Sequence, residues 1–209
     1  MIYGTQAKGL RYATNVGGFW RTSTVTPIPT NGALLAYDPS ANTLVITVPT
    51  PGIGLAVATK RAGAARFGQV RPWAPLPHAS VQPTSLTSRG GRITVAALVH
   101  GVTSPSAVVA TGRSASGGGQ VQPIRGARVA SFPLVASVNR RQLVLAWTGS
   151  GAWSSRATWD ATRKAWRMTA PVRRTHSAYD QVLGVGVDGG GHSYLLVHRI
   201  AGDAPPSRP

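Results

Sequence analysis

Five aspartates, five histidines and six tryptophans carry most of the chemistry open to this chain, which has no cysteine and no glutamate. Hydrolytic glycosidases set two carboxylates across one bond. Only Asp38, Asp160, Asp180, Asp188 and Asp203 could supply them. Asp38 (Asp38-Pro39-Ser40-Ala41-Asn42) and Asp188 (Asp188-Gly189-Gly190-Gly191) precede turn-forming residues at equivalent places, where an Asp side chain caps a tight turn. Asp160 follows a strand end in the same manner, and Asp203 lies in a Pro-rich tail, 203–209. These contexts predict turn chemistry, so no catalytic residue is assigned. His192 and His198 are six residues apart and lack the third ligand that a metal needs. His176 with Asp180 could begin a site; ordinary loop or half-buried histidines are the expectation. Thr148-Gly149-Ser150-Gly151 reads as a turn, and Ser116-Gly117-Gly118-Gly119 is followed by neither a Lys-Ser/Thr pair nor a helix. Without cysteine there is no disulfide framework, thiolate zinc site or thiol nucleophile. No metal or cofactor is expected, and the chain reads as a non-enzyme.

Charge is a second lead. Lys+Arg is 22 against Asp+Glu of 5, a formal net charge of +17, and 19 of the 22 bases are Arg. Such a surface attracts polyanions. The tightest sets are Arg140-Arg141, Arg163-Lys164-Arg167 and Arg173-Arg174. No zinc finger or RNP-type aromatic sheet accompanies them, so weak salt-sensitive polyanion binding is expected rather than a specific nucleic-acid site.

The elements that must position these groups are strands. Gly (25) and Pro (16) are spread along all 209 residues, which disfavours helix nearly everywhere. The apolar runs are short and rich in Val, Leu, Ile and Thr: 44–48, 93–99, 142–147 and 193–197. They read as strands buried on both faces. Their starts are about 50 residues apart, a period that points to a repeat architecture. Strands ending Ala-Thr recur at residues 10–14, 55–59, 107–111 and 154–158. An aromatic follows in three copies (Trp20, Phe67, Trp166), and Gly117-Gly118-Gly119 replaces it in the fourth. Four strands per unit is the make-up of a propeller blade. The fold expected is an all-β propeller of about four four-stranded blades in a single domain, 1–202. Three units are whole (30–77, 78–126, 127–175), and 176–202 is completed by 1–29. Small residues suit the crowded axis of so small a ring: Ala36, Ser85, Ala136, Gly184 and Gly186. The rival reading is a fragment of a larger ring, or an open arc that self-associates.

Apolar sugar faces stack on indole rings. Trp20 and Trp166 occupy repeat-equivalent positions before an Arg, which assigns them to blade packing. Trp153 and Trp159 have no counterpart in the other units, so the shared core does not require them. They are the ligand-contact candidates, with Arg156 and Tyr179 as polar neighbours.

Residues 9–25 (Gly9-Leu10-Arg11-Tyr12-Ala13-Thr14 through Val25) and 180–194 resemble the second and first halves of a blade in bacterial sialidase-like, BNR-related propellers. The resemblance covers all four units. It implies the fold and a non-catalytic, glycan-binding type. The Asp-box spacing Ser-x-Asp-x-Gly-x-Thr-Trp is not kept: in Trp159–Trp166 the Asp-to-Trp interval is one residue longer and Gly is absent. The Tyr–Glu pair of sialidase catalysis cannot be built without Glu.

The expected role is a binding module for glycans or anionic cell-surface polymers. The alternatives are a degenerate sialidase-type hydrolase propeller and a basic scaffold for polyanions. No run approaches about 18 apolar residues, so no membrane span is expected. No signal peptide is visible; the resemblance implies an extracellular or cell-surface location and leaves the cytoplasm open.

Overall fold

The structure is a computed structural model that describes residues 2–5, 9–16, 18–27, 32–76, 80–100, 105–113, 118–123, 133–139, 141–163, 165–175, 177–188 and 190–199. Among the described residues every regular element is a strand. The chain divides into two compact units, Met1–Pro123 and Ile124–Pro209.

The first unit holds three antiparallel sheets. β1 (Ile2–Thr5), β2 (Gly9–Val16) and β3 (Phe19–Thr26) form the first, in that order. β4 (Leu34–Asp38), β5 (Thr43–Thr50), β6 (Gly54–Arg61) and β7 (Arg71–Pro75) form the second. β8 (Ser80–Arg89), β9 (Arg92–His100), β10 (Pro105–Arg113) and β11 (Gln120–Pro123) form the third. In the second unit β12 (Leu134–Asn139), β13 (Gln142–Gly149), β14 (Gly151–Asp160) and β15 (Ala165–Met168) pair in sequence, and β16 (Val172–Arg173) pairs with β14. β17 (Asp180–Val187) and β18 (Ser193–Arg199) form a two-stranded sheet. Two sheets of four strands paired in chain order, and a third with the same four-strand path plus β16, repeat the blade pattern of a propeller.

The second strands of the three largest sheets, β5, β9 and β13, carry the core. Val45 to Val48, Ile93 to Leu98 and Leu143 to Trp147 are buried without a break. A strand covered on both faces needs apolar residues at every position, which is why these runs do not alternate. Val45, Leu55, Val57 and Trp73 pack against Ile93, Val95 and Ala110. Ile46 and Val48, on β5's other face, pack with Leu10, Val25 and Phe67. The sheet β4–β7 is thus apolar on both sides.

First strands are irregular in three sheets. The register shifts at Pro83/Ser85, Ser137/Asn139 and Val182/Gly184. At the first of these Pro83 has no N–H for the ladder, and Thr84 turns its hydroxyl to the Ala96 carbonyl at 3.2 Å.

Three expectations are corrected here. The fourth apolar run, β18, is not buried on both faces: Tyr194 is 59% and Leu196 63% exposed. Its sheet packs on β12, β13 and β14 through β17, and the face that carries Tyr194 and Leu196 is exposed among the described residues. The aromatic markers do not share one role. Trp166 is buried, but Trp20 is 62% exposed. Phe67 precedes β7 and stacks edge-on with Tyr12 (centroids 5.3 Å apart), while the buried aromatic of its sheet is Trp73. Finally, the unit divided between 176–202 and 1–29, expected to hold four strands, has two described strands in the first part (β17, β18) and three in the second, where β1 pairs with β2 from Ile2↔Tyr12 to Thr5↔Gly9.

Candidate functional site

The β17–β18 hairpin presents one packed face and one open face. Pairing puts Asp180, Val182, Val185, Val187, Leu195 and Val197 on one side. These are buried or half-buried. Asp180 is fully buried there, and its Oδ1 lies 3.5 Å from Arg199 Nε. The other side carries Gln181, Gly184, Gly186, Tyr194, Leu196 and His198. Gly186 stands opposite Tyr194, and Gly184 opposite Leu196. Two glycines facing two large side chains leave a trough of about 380 Å³, lined by Gly184, Val185, Gly186, Tyr194, Leu195 and Leu196.

A polar cluster fixes one end of this trough. Asp188 Oδ1 accepts the N–H groups of Gly190 and His192, both at 2.9 Å. Asp188 Oδ2 accepts the Tyr194 hydroxyl at 2.9 Å and faces His192 Nδ1 at 3.0 Å. A carboxylate can only accept, so Nδ1 donates in this contact and the ring is held with Nε2 turned away from Asp188. The His192 N–H above all, with the tyrosine hydroxyl and imidazole, outweighs desolvation and holds the Asp188 carboxyl at about 2. The same carboxylate pushes the Tyr194 phenol above its ordinary value. The cluster therefore carries a fixed negative charge, an oriented imidazole and an exposed ring of set orientation. Such a surface can stack on an apolar face and bind hydroxyl groups beside it.

The four sequence-derived candidates do not form one site. Trp153 and Trp159 share a face of β14, but six residues of strand separate them by about 20 Å. Arg156 stands on the opposite face, because strand side chains alternate. Trp153 lies across from Trp147 and packs 3.3 Å from the position a Cβ of Gly149 would take. Trp159 meets Trp166 edge-on, with centroids 5.4 Å apart. Trp153 and Trp159 are half-buried. Tyr179 is exposed just before β17, at the other end of that strand from Tyr194. His176 lies outside the described residues. Tyr194 and Leu196 sit inside a run that reads as core, so sequence reasoning does not single them out as exposed. The available signal was the pair Gly184 and Gly186 in a unit with only two strands before the Pro-rich tail.

The turn reading of the aspartates holds where the structure describes them. Asp38 Oδ1 accepts Ser40 N and Ala41 N at 3.1 Å, and Asp160 Oδ1 accepts Thr162 N and Arg163 N at 3.1 Å. Asn139 does the same for Arg141 N at 2.8 Å, at the first turn of its sheet. Among the described residues no three His, Cys, Asp or Glu side chains group as metal ligands.

No protein-family model and no curated protein sequence matches the chain. Solved structures do. One, described as NanB plus Optactamide, superposes with a TM-score of 0.58 at 14% identity over 90% of this chain. A second is a leech intramolecular trans-sialidase complexed with 2,7-anhydro-Neu5Ac, with a TM-score of 0.50 at 12% identity over 90% of this chain. The fold is that of a sialidase-like propeller. The propeller chain spans about a third (32%) of the length of each of these two structures. Likeness at this identity speaks for the fold alone, because function resides in sites carried on a fold.

Proposed function

We propose that this propeller is a non-catalytic glycan-binding module whose site is the trough of the β17–β18 hairpin. The observation that carries the reading is Tyr194: an exposed ring with its hydroxyl held by Asp188, beside the oriented His192 and above a glycine floor. The ring offers a stacking platform for a sugar's apolar face. His192 Nε2 and the Asp188 carboxylate offer polar contacts for hydroxyl groups. The carboxylates favour binding over hydrolysis. Asp38, Asp160 and Asp188 are tied into turns, and Asp180 is buried beside Arg199.

The test is a titration with 3'-sialyllactose and with lactose at about 0.5 M salt, where exposed charges are screened within a few Å. Tyr194→Ala is expected to weaken binding of the preferred sugar at least tenfold, about 1.4 kcal/mol. Tyr194→Phe keeps the ring and is expected to lose less. Failure to bind either sugar, or binding indifferent to Tyr194→Ala, overturns the placement. Release of product from a chromogenic sialoside overturns the non-catalytic reading.

One observation favours a second reading. By register, Tyr194 and Leu196 correspond to Val45 and Thr47 of β5, which are buried between sheets. A second copy of the chain could supply the missing cover. That reading expects a mass by light scattering that doubles between about 1 and 100 µM, with Leu196→Asp restoring the monomer; the cost of burying a charge on an apolar face drives the change. A constant monomer mass sinks it.

A further inference from the structure

We propose that the face of β14–β16 bearing Arg156, Arg167 and Arg174 is a docking surface for a linear anionic polysaccharide. The inference is independent of the β17–β18 trough. Arg156 is exposed on β14. Arg167 lies opposite Thr158, two residues further along and on the same face as Arg156. Diagonal neighbours of this kind are about 7–8 Å apart. On the other side, Arg174 Nε donates to Ser154 Oγ at 2.7 Å. Ser154 is two residues before Arg156 and on its face, a step of about 7 Å. The three arginines are therefore anchored in a row along the outer strands of one face, at backbone steps of about 7 Å.

The row is short of counter-charge. Its acidic neighbour is Asp160, whose Oδ1 is taken by the turn N–H groups of Thr162 and Arg163 and whose Oδ2 is 3.8 Å from Arg167 Nη1. The Ser154 bond uses Nε–H of Arg174, and its Nη groups find no acceptor among the described residues. Guanidinium groups bind sulfate and carboxylate through paired, charge-assisted hydrogen bonds. An extended row on a sheet matches a polymer with a charge on each successive sugar. Single-stranded nucleic acid is bound by adding stacked aromatic rings to such a row. The described residues of this face, Ser154, Arg156, Thr158, Arg167 and Val172, contain no ring.

The experiment titrates the full chain with dextran sulfate, with neutral dextran and with a DNA duplex of about 20 base pairs across a salt series. The triple variant Arg156→Ala/Arg167→Ala/Arg174→Ala is compared with Arg61→Ala/Arg66→Ala/Arg71→Ala, which removes the same charge from exposed sites of the first unit. The expected result is at least a tenfold loss of dextran sulfate affinity, and a salt slope reduced by about 2 to 3, in the first triple alone. Arg156→Glu, a change at an exposed position, is expected to lower affinity by itself with an unchanged melting temperature. Equal losses in both triples mean that net charge is the whole signal and overturn the surface. DNA bound as tightly as dextran sulfate, with the same dependence on the three arginines, overturns the polysaccharide in favour of nucleic acid. No binding of dextran sulfate at low salt overturns the proposal outright.

Discussion

Replacing Asp38 with alanine is expected to lower the melting temperature by roughly 6–12 °C, from a loss of about 3 kcal/mol in bonds to a charged acceptor. Asp38 is 0% exposed and ends β4. Within its own turn Oδ1 accepts from Ser40 N (3.1 Å), Ser40 Oγ (2.6 Å) and Ala41 N (3.1 Å). The remaining donors come from the neighbouring sheet. Gly90 N reaches Oδ1 at 3.2 Å, while Ser88 Oγ (3.1 Å) and Gly91 N (2.7 Å) reach Oδ2. Gly90 and Gly91 form the β8–β9 turn with φ of +62° and +70°, a left-handed pair that glycine adopts without strain. One carboxylate thus caps one turn and clasps the next. Alanine would leave the donors of half-buried Ser88 and Gly91 without an acceptor, a loss that costs more than the net value of a formed bond, and would free those of exposed Ser40, Ala41 and Gly90 to water. Thermal melts of Asp38→Ala and Asp38→Asn measure this. A fall below about 2 °C for alanine would show that water replaces the carboxylate freely.

The same group predicts an acid limb. Burial pushes the Asp38 carboxyl up, but the bonds from Ser40, Gly91, Ala41 and Ser88 outweigh it and hold the group at about 2, against an ordinary value of 3.8. A depressed carboxylate stabilises the fold above the unfolded value, and that contribution is lost as pH falls through the folded value. Between about pH 4 and pH 2 the unfolded chain binds one more proton at this site, worth roughly 2 kcal/mol in total. Asp38→Asn should flatten the stability–pH curve in that window and leave its shape above about pH 5 unchanged.

The sequence was most readable where physics demands one kind of residue. β5, β9 and β13 are covered on both faces, so continuous runs such as Leu44-Val45-Ile46-Thr47-Val48 announced them. Asp38 and Asp188 were legible as turn residues because a short carboxylate before Pro, Ser or Gly has few other uses. Asp38's second role was not legible. Its partners Ser88, Gly90 and Gly91 lie some 50 residues away, and only the packing of β4 on β8 brings them close. β18 misled for the converse reason. Tyr194-Leu195-Leu196-Val197 has core composition, yet cover depends on neighbouring sheets, which a local run does not encode. The placement of Arg156 relative to Trp153 and Trp159 was legible only once β14 was known to be one unbroken strand: an odd interval along it puts Arg156 on the face opposite the two indoles.

Gly119 shows how a gap in the repeat becomes a prediction. It stands where the other units have an aromatic, and the ring that fills its space is Trp73. A Cβ on Gly119 would lie 2.8–2.9 Å from three atoms of that indole. Trp73 is 2% exposed, packs with Leu55, Val57, Ile93 and Val95, and donates Nε1–H to the Arg113 carbonyl at 3.1 Å. Its own carbonyl accepts from the N–H groups of Gly118 and Gly119. The outer strand of one sheet is thereby locked to the β10–β11 connection of the next. Trp73→Ala should cost about 3–5 kcal/mol, through lost burial and the cavity left behind. Gly119→Ala should cost about 1–3 kcal/mol, through overpacking against the ring. The two costs should not add. Once the indole is gone the new methyl has room, so Trp73→Ala/Gly119→Ala should be no less stable than Trp73→Ala alone. A denaturant-melt cycle reads this coupling directly. Additive losses would mean that Gly119 is needed for its backbone rather than for the space it yields to Trp73.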